Sequence, residues 1–151
     1  MSEWRRIENT PRRAVFERTA DGQRTTLSFS AQPMSPLPED QAFLRFAEDQ
    51  QREALAKLEK ESAHYNWTGK DGTPCLAYDG IFHDKTAQAS PFLSFIGQVC
   101  RHPGSAGKMI RVELAQRSTT KENAYKIDLS GPAEQVFSAM RFTELSKAPG
   151  R

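Results

Sequence analysis

The sequence predicts an α+β protein, in which an antiparallel sheet, partly barrel-like, is packed by one long and one short helix. Three observations carry this. Strand-like runs with two-residue alternation recur along the chain, Pro38-Glu39-Asp40 opens a long amphipathic segment, and Gly131-Pro132-Ala133-Glu134 opens a short one. A chain of 151 residues fits one domain that buries roughly two-thirds of its unfolded surface. We place that domain at 1–142 and a flexible tail at 143–151.

The first unit reads as a hairpin. Residues 13–18 and 25–30 flank Ala-Asp-Gly-Gln, where Asp21-Gly22 suits a tight turn. Thr25, Leu27 and Phe29 share one face, while Thr26, Ser28 and Ser30 form a wet one. Pro33, Pro36 and Pro38 then interrupt the ladder, and a helix is expected over 38–62. Its apolar stripe is Phe43, Leu44, Ala47, Ala54, Leu55 and Leu58, interrupted by Gln51.

Residues 64–78 suggest a second hairpin around Asp71-Gly72, followed by a connecting loop over 80–90. The apolar run Phe92 to Cys100 stops at Arg101-His102-Pro103-Gly104. Residues 108–115 and 125–129 alternate as half-buried strands on either side of a polar, basic loop at 116–123. Ala133, Val136, Phe137 and Met140 give the final helix an apolar face.

Composition narrows the function classes. Hydrophobic residues make up 37% and charged residues 26%, a folded rather than a disordered profile. No apolar run is long enough to span a bilayer, and the N-terminus has no apolar signal stretch. A cytoplasmic location without membrane contact is therefore expected. Cys75 and Cys100 would be reduced there and act as buried fillers.

Charge is uneven. Residues 1–24 carry six arginines against four acids, residues 101–151 carry nine Lys or Arg against five acids, and residues 39–61 carry seven acids against four bases. A polyanion would meet the two ends before the centre. Tyr65, Trp67, Tyr78 and Phe82 are interleaved with Lys70 and Lys85, a mixture found both in platforms for unstacked bases and in ordinary core hairpins.

The run Phe95-Ile-Gly-Gln-Val-Cys-Arg-His-Pro103, the strand 108–115, and Tyr125 to Gly131 with its helix resemble the core of bacterial single-stranded-DNA-binding proteins of the OB-fold type. That resemblance implies a five-stranded barrel that binds single strands through stacking and a basic groove. The strands at 13–30 or 65–78 would complete the sheet. Residues 13–60 and 108–141, each hairpin then helix, are also similar to the sheet-plus-helix repeats of the Pur-alpha and Whirly type, which imply the same ligand class.

Catalytic and metal signatures are weak. Residues 101–109 lack the Gly-x4-Gly-Lys-[Ser/Thr] spacing, because His102 and Met109 occupy the first glycine and hydroxyl positions. Cys75, His83, Cys100 and His102 show no paired zinc spacing. Asp79, His83 and Asp84 have no nucleophile at a recognisable elbow. No enzyme, cofactor or metal is expected.

The function expected is non-catalytic binding of single-stranded DNA or RNA in replication, recombination or a mobile element. Arg101, Lys108, Arg111, Arg117, Lys121 and Lys126 would neutralise phosphates, and Trp67, Phe95 and Tyr125 would stack bases. The contrasting expectation is a small inhibitor or adaptor that docks on a larger protein complex through the acidic helix at 38–62. Homo-oligomerisation is compatible with either.

Overall fold

The computed structural model describes residues 4–20, 23–70 and 72–139. Among these, seven strands form one antiparallel sheet: β1 (Arg5–Thr10), β2 (Arg13–Ala20), β3 (Gln23–Pro33), β4 (Glu59–Lys70), β5 (Thr73–His83), β6 (Phe92–Arg101) and β7 (Lys108–Ser118). Their spatial order is β1-β2-β3-β7-β6-β5-β4. Two meanders therefore meet where β3 pairs with β7, and helix α1 (Asp40–Ala54) carries the chain from one to the far edge of the other. The sheet is open, with β1 and β4 at its edges, so the α+β class holds while the expected barrel-like closure does not. Two short helices follow, α2 (Lys121–Lys126) and α3 (Ser130–Ala139).

Both expected hairpins form. β2 and β3 pair from Arg13↔Ser30 to Ala20↔Gln23, with the Asp21-Gly22 turn itself outside the described residues. β4 and β5 pair through to Lys70↔Thr73, and Gly72 takes a φ of 81°, a conformation that costs glycine little. β1 had no counterpart in the sequence reading.

Three boundaries differ from expectation. The first helix stops at Ala54 rather than 62, because residues 59–70 are recruited as β4 and only Leu55 and Leu58 of the later stripe reach the core. The loop expected at 80–90 begins only after His83, since β5 keeps its pairing with β6 up to His83↔Phe92. Residues 121–126, expected to hold the start of a strand at 125–129, are helical. Thr120 caps this helix by accepting the Asn123 N–H at 3.1 Å, a local bond that outweighs the alternation of Tyr125, Ile127 and Leu129. Met140 and the tail 143–151 lie outside the described residues.

Each sheet face has its own apolar cluster. Phe43, Leu44 and Ala47 of α1 pack with Leu76, Tyr78, Phe82, Phe95, Val99 and Met109 on one face. On the other, Leu27, Val112 and Leu114 pack with Ala133, Leu129, Val136 and Phe137. α1 packs mainly on β5 and therefore covers only the C-terminal half of its face.

A buried polar bridge fixes α1 there. The Tyr78 hydroxyl donates to Glu113 Oε1 at 2.6 Å, and Arg111 Nη1 donates to Tyr78 Oη at 3.0 Å and to Gln51 Oε1 at 2.5 Å. Gln51, the interruption in the helical stripe, is buried because Arg111 needs its carbonyl. Burial, reinforced by the Glu113 charge, pushes the Tyr78 hydroxyl well above its ordinary value and keeps it a donor. Gly97 makes room for the ring, since a Cβ there would overlap the phenol carbon and oxygen of Tyr78.

The entry to α1 is tied down as well. Met34 and Leu37 donate backbone N–H groups to Gly107 and Ala106, and Arg101 donates to the carbonyls of Leu37 and Pro38. These bonds join the segment after β3 to the turn between β6 and β7.

Cys75 and Cys100 form a disulfide, which corrects the expectation of two free thiols. They are opposite one another in the β5–β6 register, with Cα atoms 4.1 Å apart. Spacing along the chain could not reveal that opposition, because it follows from strand register.

Two outcomes follow from this packing. Gly97→Ala should destabilise the protein by about 1–3 kcal/mol in chemical denaturation, the usual cost of overpacking a filled site. His102, buried in the β6–β7 turn, accepts the Gly104 N–H on Nδ1 at 2.9 Å, and burial followed by the Lys108 charge lowers its affinity for protons. Its folded value lies below the ordinary 6.5, so its contribution to stability is complete above that pH and is lost as pH falls through the folded value. Denaturation midpoints should decline below about pH 6.5 in the native sequence, and His102→Gln should flatten that decline.

Candidate functional site

Strand alternation builds the site on the half of the α1-side face that the helix leaves open. Leu27 and Phe29 point to the α3 side, so Arg24, Thr26, Ser28, Ser30 and Gln32 form a row on the other face of β3. Same-face residues on a strand are about 6.6–6.8 Å apart. The row is walled by α1 near its Gln32 end, where Arg12, Arg13, Ser30, Gln32 and Gln50 line a shallow cleft. Phe46, one helical turn before Gln50, is among the few large apolar side chains left exposed. Gln50 Oε1 is buried without a hydrogen-bond partner among the described residues.

At the opposite end the groove deepens into a cavity of about 550 Å³ between β3, β7 and the start of β6. Arg24 and Arg117 line it together with Thr26, Ser90, Thr119 and Asn123, over an apolar floor of Leu93 and Ala115. Arg117 contacts Asp84 Oδ2 at 3.5 Å and the Ser90 carbonyl at 3.4 Å, long contacts that leave much of its donor capacity unused. The Asp84 carboxyl is held below its usual range mainly by the Thr86 hydroxyl and backbone N–H, with Arg117 a lesser cause.

Three carboxylates also lie on this face, and all are answered, Glu8 by Arg13 Nε at 3.6 Å. Glu17, nearly buried, is bracketed by Arg5 and Arg24, and the Arg5 hydrogen bond keeps its carboxyl below the usual range against the cost of desolvation. Glu113 is held by Tyr78. The groove is thus a hydroxyl-lined channel with Arg13 at one end and Arg24 and Arg117 at the other, paired respectively with Glu8, Glu17 and Asp84.

The chain matches no known protein-family model and has no significant relative among curated proteins.

The residues singled out in the sequence scatter around this groove. Arg117 lies in its cavity. Arg101 is mostly buried and spends its guanidinium on the entry to α1, adding Asp40 Oδ1 at 2.8 Å to the two carbonyls. Arg111 sits beneath α1 in the Tyr78 bridge. Phe95 is buried, stacked on Phe82 with ring centroids 5.6 Å apart, and so is a core residue rather than an exposed stacking surface. Lys108 is half-buried at the start of β7.

Lys121 pairs with Glu61 at 2.5 Å, which raises its affinity for protons, and Tyr125 donates its hydroxyl to the Glu61 carbonyl at 3.3 Å. Lys126 and Tyr125 are exposed on α2. Trp67 is 43% exposed on β4, with its indole N–H donating to Glu48 Oε1 at 3.0 Å. It therefore flanks α1 on the side away from the groove. The alternation of β3 already marked Thr26, Ser28 and Ser30 as a wet face, but nothing in the sequence showed that α1 would stop short of it.

Among the described residues, no group of three or more His, Cys, Asp or Glu is placed to hold a metal ion, and no helix is long and apolar enough to cross a membrane. Since Arg101 makes three hydrogen bonds at the start of α1, Arg101→Ala should lower stability by about 1.5–3 kcal/mol, read from the denaturation midpoint. Arg101→Lys, which cannot span the same acceptors, should recover little of it.

Proposed function

We propose that this protein binds single-stranded nucleic acid, without catalysis, along the open groove on β3. The observation that carries the proposal is the row of same-face residues from Arg24 to Gln32, bounded by Arg13 at one end and by Arg24 and Arg117 at the other. Extended single strands are held by cationic grooves that track their backbone, and hydroxyl and amide side chains add hydrogen bonds to phosphate and sugar. The unpaired Gln50 acceptor offers a partner for a base amino group or a ribose hydroxyl. Phe46 is the aromatic surface nearest the cleft in helical spacing, and it replaces Trp67, Phe95 and Tyr125 as the stacking candidate.

Both family resemblances drawn from the sequence imply this ligand class, but the proposal rests on the groove. Replication, recombination or a mobile element supplies the context. A cytoplasmic setting is part of the proposal, and there the Cys75–Cys100 pair would face a reducing pool.

The alternative, docking on a protein complex through the acidic helix, has less support from the helix surface. Glu48 is already engaged by Arg52 and Trp67.

Fluorescence anisotropy of a labelled mixed-sequence single strand tests the proposal, with its duplex as control. Binding should favour the single strand and weaken steeply with salt. Ser28→Glu, which places a carboxylate midway along the row, and Arg13→Gln should each weaken it by about tenfold. Equal affinity for duplex, or no effect of Ser28→Glu in a folded variant, would refute the groove as the site.

A further inference from the structure

The two ends of the groove differ. At the Arg13 end the cleft is shallow and opens to solvent beside α1, whereas at the other end Ser90, Thr119 and Asn123 help enclose the deeper cavity of about 550 Å³. A strand that follows β3 toward Arg24 therefore runs into a walled pocket. Resting on the nucleic-acid reading, we infer that this cavity receives the terminal phosphate monoester of the bound strand.

Charge and geometry support a chain end over an internal linkage. A terminal phosphate carries close to two negative charges at neutral pH and three acceptor oxygens, against one charge on an internal diester. Two guanidiniums line the cavity, and each offers forked donors suited to phosphate oxygens. Arg24 is anchored through Nε to Glu17, which orients its fork. Arg117 makes only long contacts to Asp84 and the Ser90 carbonyl, so it can turn toward an incoming anion. The Thr119 hydroxyl and the Asn123 amide add neutral donors, while the Thr26 hydroxyl donates to the Ala115 carbonyl at 3.4 Å. Leu93 and Ala115 give an apolar floor on which the terminal sugar or base would rest. The cavity volume is within the range of small-ligand sites, large enough for one nucleotide.

The test compares internally labelled single strands of one sequence bearing a 5′-phosphate, a 3′-phosphate or hydroxyls at both ends, with inorganic phosphate and a mononucleotide as competitors. One phosphorylated end should bind about tenfold tighter than the hydroxyl-ended strand, the gain expected of an added bidentate contact. Arg117→Gln should collapse that ratio toward one. Arg117→Lys, which keeps charge without the fork, should retain part of it. Arg13→Gln, at the far end, should weaken all three strands while preserving the ratio, and thermal unfolding confirms that each variant is folded.

Equal affinity for all three strands, with salt-sensitive binding intact, would overturn the terminal-phosphate assignment and leave the groove reading standing. Binding of inorganic phosphate or the mononucleotide with no end preference among strands would also overturn it, by making the cavity a free-phosphate site. Failure of every strand to bind at low salt would overturn the groove reading and this inference together.

Discussion

The fold depends on one buried contact, the Tyr78 ring lying over Gly97 with its hydroxyl held between Glu113 and Arg111. A tyrosine hydroxyl taken out of water needs partners, and an unpaired charge beside it would be costlier still. The structure meets both demands at once. Glu113 accepts, Arg111 donates, and the remaining reach of Arg111 is taken by Gln51 of α1. The helix is therefore positioned by a polar bridge in addition to the apolar packing of Phe43, Leu44 and Ala47.

That position determines what stays open. The same helix could not cover both halves of a seven-stranded face: fifteen residues span only about 22 Å at 1.5 Å per residue. Anchored over β5 by the bridge and at its entry by Arg101, it leaves β3 and its hydroxyl row uncovered. On the opposite face, Arg18 stacks over Trp4 at 4.7 Å and Arg6 over Phe16 at 5.6 Å. Those arginines are occupied by aromatic partners, whereas Arg13, Arg24 and Arg117 on the α1 side are held by the carboxylates of Glu8, Glu17 and Asp84.

Much of the fold could be read in the sequence because it is written in local signals. The alternation of residues 25–30 and 108–115, the glycine turn at Gly72 and the Gly131-Pro132 helix start each lie within a few residues of chain, and each has its counterpart in the structure. Register and competition between elements were not local. Whether residues 59–62 extend a helix or open a strand depends on β5 being available to pair, and whether Cys75 meets Cys100 depends on the alignment of two strands. The site was hidden for the same reason. Arg101, Arg111 and Phe95 looked like binding residues by type, and their tertiary partners made them structural. Ser28 and Ser30 looked like an ordinary solvated face until the extent of α1 was known.

Backbone amide shifts of the isotopically labelled protein, followed by NMR during titration with a short single-stranded oligonucleotide, would locate the bound strand on the sheet. The largest changes should trace β3 from Arg24 to Gln32 and the facing residues Arg13, Gln50 and Arg117, while Trp67 and α2 stay nearly still. Changes centred on Trp67, Tyr125 and Lys126 instead, with β3 silent, would contradict binding along β3.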